Sequence, residues 1–187
     1  MDDSARLPTP APPQWYWWFG VPLAVALVAD LWSKHVVFSL YREHETFSWW
    51  GELTYNTGVA WGLGRDWPGV VLALSLLLIP VLAWVWWRHY RWGGRWTNLA
   101  FGLILGGALG NLWDRWLTWV VGLDGGYKGV RDFIRIDLSL VGIPHAWPNF
   151  NLADAAISSG FVILLALSFL PAKAGPSCVS RGATDAR

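Results

Sequence analysis

Gly102-Leu103-Ile104-Leu105-Gly106-Gly107-Ala108-Leu109-Gly110-Asn111-Leu112-Trp113-Asp114-Arg115 lies inside a mostly apolar run spanning 96–121. A bilayer core of roughly 30 Å needs about 20 helical residues, so the run is long enough to cross one. Glycines four residues apart let neighbouring helices approach closely. Asn111, Asp114 and Arg115 put polar and ionised groups at membrane depth. Each such charge costs about 2.5–3.5 kcal/mol on insertion scales. Chains carry such groups where they pair, line a cavity or do chemistry. The stretch therefore predicts a closely packed helix of a membrane-embedded bundle and makes an intramembrane active site the leading functional reading.

Three further spans surround it, at 17–40, at 70–87 and at 150–170. Pro68 precedes the second and Pro80 interrupts it, and Pro171 stops the fourth. The fold class expected is a mainly α membrane protein built as a four-transmembrane-helix bundle. Residues 1–16 read as a flexible, proline-rich N-terminal tail, 17–171 as the membrane domain and 172–187 as a polar C-terminal tail. The first span is too long for a signal-peptide core and is expected to be retained.

Composition agrees. The chain is 54% hydrophobic and only 14% charged, too little charge to cover a soluble domain of 187 residues. Its 17 Trp suit membrane–water interfaces. A net charge of +1 leaves no footprint for nucleic acid. The single cysteine, Cys178, lies outside every span and can form neither an internal disulfide nor a Cys/His zinc site.

The loop between the second and third spans holds Arg88, Arg91 and Arg95 and no acid. The positive-inside rule places it in the cytoplasm, together with both termini. The loops 41–69 and 122–149 then face outward. At 1.5 Å per residue, Asp30 lies roughly 18–20 Å and Asn111 about 24 Å from the cytoplasmic starts of their helices. Asp154 enters its span about one turn from the outer end. Spans one, three and four thus bring polar residues to one outer-leaflet level.

Asp30 and Lys34, four apart, share a helix face. They read either as an ion pair that lets the helix enter the bilayer or as groups that orient substrate. Asn111 and Arg115 share a face too, and the planar guanidinium of Arg115 suits a carboxylate or phosphate. Asn151 reads as a helix cap, and Asp154 as a complement to the helix dipole or as a functional acid. Asp132 alone would be an ordinary loop acid. Paired with a second carboxylate it gains a chemistry, because two close acids share one proton. One then deprotonates water while the other donates to a carbonyl oxygen.

Five motifs occur in order: Asp30-x-x-Ser33-Lys34, Asn56-Thr57-Gly58-Val59-Ala60-Trp61, Gly107 through Arg115 as quoted above, Asp132-Phe133, and Phe150-Asn151-Leu152-Ala153-Asp154. In these the chain resembles the lipoprotein signal peptidase (signal peptidase II) family of bacterial intramembrane aspartyl proteases. The resemblance implies removal of signal peptides from diacylglyceryl-modified prolipoproteins, cut before the lipidated cysteine. It implies Asp132 and Asp154 as the catalytic pair, with no metal and no cofactor. Asp30, Lys34, Asn56, Gly58, Gly107, Asn111, Arg115, Asn151 and Ala153 fall on family positions around the pocket. Loop 41–69 would form a small extracytoplasmic β-cradle, and part of the second outer loop a helical flap. The expected setting is the bacterial inner membrane, with membrane lipids and lipidated prolipoproteins as partners and a monomer as the working unit. Two departures stand out: Arg131, where an apolar residue commonly precedes the aspartate, and the stretch 125–129 before it.

Two other classes use buried acids. A transporter or proton relay would carry polar groups across the bilayer and show inverted repeats, and neither pattern is present. A metal-dependent phosphotransferase would use Asp114, Asp132 and Asp154 as ligands, but the dense acidic motif of such enzymes is absent.

Overall fold

The computed structural model describes residues 14–41, 46–48, 50–58, 63–122, 128–142 and 146–170. Among the described residues are four α-helices and four strands, the strands in two pairs between helices. In chain order they are α1 (Trp15–Leu40), β1 (Thr46–Ser48), β2 (Gly51–Asn56), α2 (Pro68–Val85), α3 (Arg95–Trp116), β3 (Val130–Asp137), β4 (Ala146–Phe150) and α4 (Leu152–Ser168). Helix α2 runs on into a π-helical turn, Trp86–Tyr90, and α3 into another, Leu117–Val121. Each helix starts within two residues of its apolar run; α3 reaches the end of its run through its π turn, and α2 with its π turn ends three residues past it. The first begins at Trp15, two residues earlier than composition suggested.

Helix α3 is the axis of the bundle, and its glycines explain why. A Cβ on Gly106 would stand 2.5 Å from the Leu23 carbonyl of α1, closer than any side chain tolerates. One on Gly107 would strike the Ala153 carbonyl of α4. The missing side chains let α1 and α4 seat directly on neighbouring faces of α3.

The interior is unusual in chemistry. Among the described residues the largest fully buried side chains are Lys34, Leu53, Asn98, Asn151, Asp30, Asp114 and Asp132, all but one of them polar. Outward faces carry Val25, Val28 and Trp32 on α1, Leu74, Leu77, Leu78 and Trp84 on α2, and Phe161, Val162 and Leu165 on α4. A water-soluble fold would arrange these the other way round. Helix α1, and α2 with its π turn, are long and apolar enough to cross a membrane. Helix α4 is apolar but has 17 residues, and α3 is 22 residues long and largely enclosed.

The strands form one antiparallel sheet in the order β1-β2-β3-β4. Thr54 of β2 lies opposite Asp132 of β3, and Ile134 of β3 opposite Phe150 of β4. Loop 41–69, where a small cradle was expected, supplies β1 and β2, and the sheet continues into β3 and β4. Two strands come from each outer loop, and Asp132 sits in a strand instead of an irregular loop. The described part of loop 122–149 is mainly strand with one short 3₁₀ turn at Leu138–Val141; the helical flap was expected in part of this loop, and 143–145 lie outside the described residues. Stretch 123–127 of that loop, residues 59–62 of the Asn-Thr-Gly motif, and the tails 1–13 and 171–187 lie outside the described residues.

Tryptophans gather at the α2–α3 end. Trp15 meets Trp86 and Trp87 edge-on, with ring centroids 5.7 and 5.5 Å apart. The Trp86 indole N–H donates to Asn98 Oδ1 at 2.8 Å, and Asn98 Nδ2 donates to the carbonyls of Arg91 and Gly94. Asn98 thus ties the tight turn to both helices.

Candidate active site

Sequence logic brought three polar clusters to one depth, and in the structure they touch. Asp30 and Lys34 on α1 meet α3 at Gly110, where a Cβ would collide with the Asp30 carboxylate. The Lys34 ammonium donates to Asp30 Oδ2 at 2.7 Å and to Asn111 Oδ1 at 3.1 Å, and it pairs with the Asp114 carboxylate, Oδ2 at 3.0 Å. The other Asp30 oxygen accepts the Ala153 backbone N–H of α4 at 3.0 Å. Three helices, α1, α3 and α4, are therefore pinned around one buried lysine.

Asp154 stands in the first turn of α4. Asn151 caps that helix, its Oδ1 accepting from the Asp154 N–H at 3.0 Å, while Asp154 Oδ2 accepts from the Asn151 N–H. This is a reciprocal capping box. The second Asp154 oxygen accepts from Asn111 Nδ2 at 2.8 Å. The cap reading and the functional-acid reading of Asp154 are thus compatible, for the box fixes the carboxylate where α4 meets the sheet.

Asp132 reaches the same point from β3. It is 1% exposed, and Asn151 Nδ2 donates to its Oδ1 at 2.6 Å. The Asn56 side chain also hydrogen-bonds it, while Asn56 Oδ1 holds the Gly58 N–H at 3.0 Å. Burial, and then the neighbouring Asp154 charge, push the Asp132 carboxyl up to about 8. Asn111 and Asn151 bridge the two acids, since Asn151 Nδ2 also lies 3.1 Å from Asn111 Oδ1.

A cavity of about 1150 Å³ opens in front of the acids. Asn56, Asn111, Arg115, Asp132 and Asp154 line it, among apolar walls from Leu78, Ile79, Phe150 and Ile157. Arg115 donates to the Gly58 carbonyl at 2.9 Å and the Asn111 carbonyl at 3.3 Å, and its buried Nε has no protein partner. Asp30, Lys34, Gly58, Gly107, Asn151 and Ala153 are buried behind this surface and do not line the cavity.

Other features lay beyond sequence reasoning. Both oxygens of Asp114 are taken, by Lys34 and by Arg131, and not by its chain neighbour Arg115. Adjacent helix residues point about 100° apart, so an i,i+1 pair does not face itself. With both oxygens held by cations, Asp114 does not join Asp132 and Asp154 as a ligand set. Arg65, Ser75, Asn149 and Ser158 line the cavity without belonging to any motif. Only Ser75 had a signal, as the polar side chain of an otherwise apolar span.

Known proteins share this arrangement of elements. The signal peptidase (SPase) II family model matches residues 23–170. The lipoprotein signal peptidase of Aquifex aeolicus (strain VF5) is 34% identical, over 88% of this chain and 93% of its own length. That of Pseudomonas aeruginosa (strain UCBPP-PA14) is 32% identical, over 94% and 95%. Two solved structures, of bacterial membrane enzymes determined by the in meso method, superpose with TM-scores of 0.63 and 0.62. They are 20% and 22% identical, cover 79% and 80% of this chain, and are themselves covered over 85% and 90%. With a family match that begins within α1 and runs through α4, this chain belongs to the signal peptidase II family and is a membrane-embedded protease.

Proposed function

We propose that the chain removes signal peptides from diacylglyceryl-modified prolipoproteins, cutting just before the lipidated cysteine, with Asp132 and Asp154 as an acid–base pair. The observation that carries this reading is a buried acid and a capped carboxylate meeting at one cavity wall. Asp154 accepts hydrogen bonds on both oxygens, the pattern of a carboxylate base. Asp132 keeps its proton at neutral pH and serves as the acid.

In the first step Asp154 takes a proton from water as its oxygen bonds to the scissile carbonyl carbon. Asp132 donates its proton to the carbonyl oxygen, giving a neutral gem-diol. In the second, Asp154 hands its proton to the leaving nitrogen, the C–N bond breaks and Asp132 recovers a proton from the diol. One water is consumed, and the pair ends as it began. The chemistry needs no metal or cofactor.

All four helices span the membrane in this reading. Both termini are cytoplasmic and the acids face the outer leaflet of the bacterial inner membrane. The outward Leu, Val and Trp faces suit lipid. The apolar cavity walls suit acyl chains, and the working unit is a monomer. The test is incubation of the purified protein with a diacylglyceryl prolipoprotein and with its unmodified precursor, with and without chelator, and mass analysis of the products. Cleavage of the modified form alone, before the lipidated cysteine and indifferent to chelator, is expected. Chelator-dependent cleavage, or equal cleavage of both forms, would overturn the reading.

Two predictions arise here. Arg115 lines the cavity and aims its N–H donors at the Gly58 and Asn111 carbonyls, so Arg115→Lys keeps the charge and loses the fork. Loss of one such aimed donor lowers kcat by about 100-fold in a protein that still folds; wild-type turnover would show that the fork is dispensable. The second concerns pH. Asp132 must be protonated to act as the acid, so kcat/KM is expected to fall as pH rises through about 8. A profile flat well above that value would remove Asp132 from the acid's role.

A further inference from the structure

Arg131, the residue that departs from the family pattern, lies beside Asp132 and outside the cavity lining. Its guanidinium grips Asp114 Oδ1 through Nε at 3.1 Å and Nη2 at 2.7 Å. Its backbone N–H donates to Asp114 Oδ2 at 3.1 Å, and its carbonyl accepts from Asn151 Nδ2 at 3.3 Å. The Phe38 ring of α1 covers it, 5.7 Å from the guanidinium carbon. Side chain, N–H and carbonyl of one residue are therefore tied to α3 and to the cap of α4. That fixes the peptide from which Asp132 projects.

The ion pair continues inward. Asp114 passes to Lys34, Lys34 to Asp30, and Asp30 to the Ala153 N–H next to Asp154. The chain of contacts starts beside one aspartate and ends beside the other. It holds two carboxylates and two cations, so its charges cancel.

We infer that Arg131 is a positioning residue: through Asp114, Lys34 and Asp30 it sets the spacing of the two aspartates and keeps the buried charge behind them at zero. This rests on the aspartate-pair reading above. The charged groups around Asp132 are Asp30 and Lys34 from α1, Asp114 and Arg115 from α3, Asp154 from α4 and Arg131 on its own strand. Removing Arg131 leaves one uncancelled negative charge among them. Repulsion then makes the pair hold its proton more tightly, and both limbs of the pH profile move up.

The experiment compares kcat, KM and the pH profile of kcat/KM for the full-length protein on a diacylglyceryl prolipoprotein. Arg131→Met should lower kcat by about tenfold, as coupled buried networks allow. It should raise both limbs by roughly half to one pH unit and leave KM near wild type. Arg131→Lys, which restores the charge, should return the limbs. Arg131→Met combined with Asp114→Asn cancels the excess charge and should return them too. Arg135→Met removes the same charge from the same strand, but from a half-exposed pair with Glu52, and should leave the profile in place. A merely structural Arg131 would lower the active fraction without moving the limbs. That result, or a double variant shifted as far as the single, or an equal shift in Arg135→Met, would overturn the inference. Asp132→Asn in the same assay separates the two claims. If it is active, the aspartate-pair reading fails; if it is dead while Arg131→Met has wild-type kcat and limbs, only the positioning claim fails.

Discussion

Asp132→Asn and Asp154→Asn are each expected to cut prolipoprotein cleavage by about 10⁴-fold, to background, because an amide can neither take the proton of water nor deliver one to a carbonyl oxygen. Folding should survive. Asparagine is nearly isosteric, and at Asp132 it replaces a carboxyl whose charged form burial disfavours. Substrate should still bind, since the apolar walls and Arg115 are untouched. Asp137 is the control on the same strand. It is half-buried at the strand's end, its carboxyl held below the usual range by hydrogen bonds from Ser139. Asp137→Asn should cleave at the wild-type rate. Near-normal turnover in either site variant, measured on correctly folded protein, would remove that residue from the chemistry.

Lys34→Met is the change expected to cost the fold most. The ammonium is 0% exposed and neutralises Asp30 and Asp114 at once. Its loss leaves buried carboxylates short of a partner, a defect of about 3–5 kcal/mol for a broken buried pair. Methionine fills the volume, so the cost is electrostatic. The unfolding midpoint in detergent, followed by tryptophan fluorescence, should drop sharply. Adding Asp30→Asn should recover part of it, because the second change removes one of the stranded charges. A midpoint equal to wild type in Lys34→Met would mean that the lysine is not the charge centre of the bundle.

The helices were legible because apolar runs of membrane length are coarse, local signals. The site was legible through its cost: Asp30, Lys34, Asn111, Asp114 and Arg115 have no place in such runs unless they meet. Less could be read where pairing is non-local. Nothing near Thr54 or Asp132 announces that their strands lie side by side, with more than 70 residues between them. The sheet consequently looked like a cradle from one loop. Asn98 carries no signal in the sequence, since its role depends on a turn that only the folded chain creates.

Catalysis in this account turns on one proton held by a buried carboxyl pair. Infrared difference spectra of the reconstituted protein read that proton directly. At neutral pH the wild type should show the carbonyl stretch of a protonated carboxylic acid that is missing from Asp132→Asn, and the band should fade as pH rises through about 8. A wild-type spectrum identical to that of Asp132→Asn across this range would contradict the account.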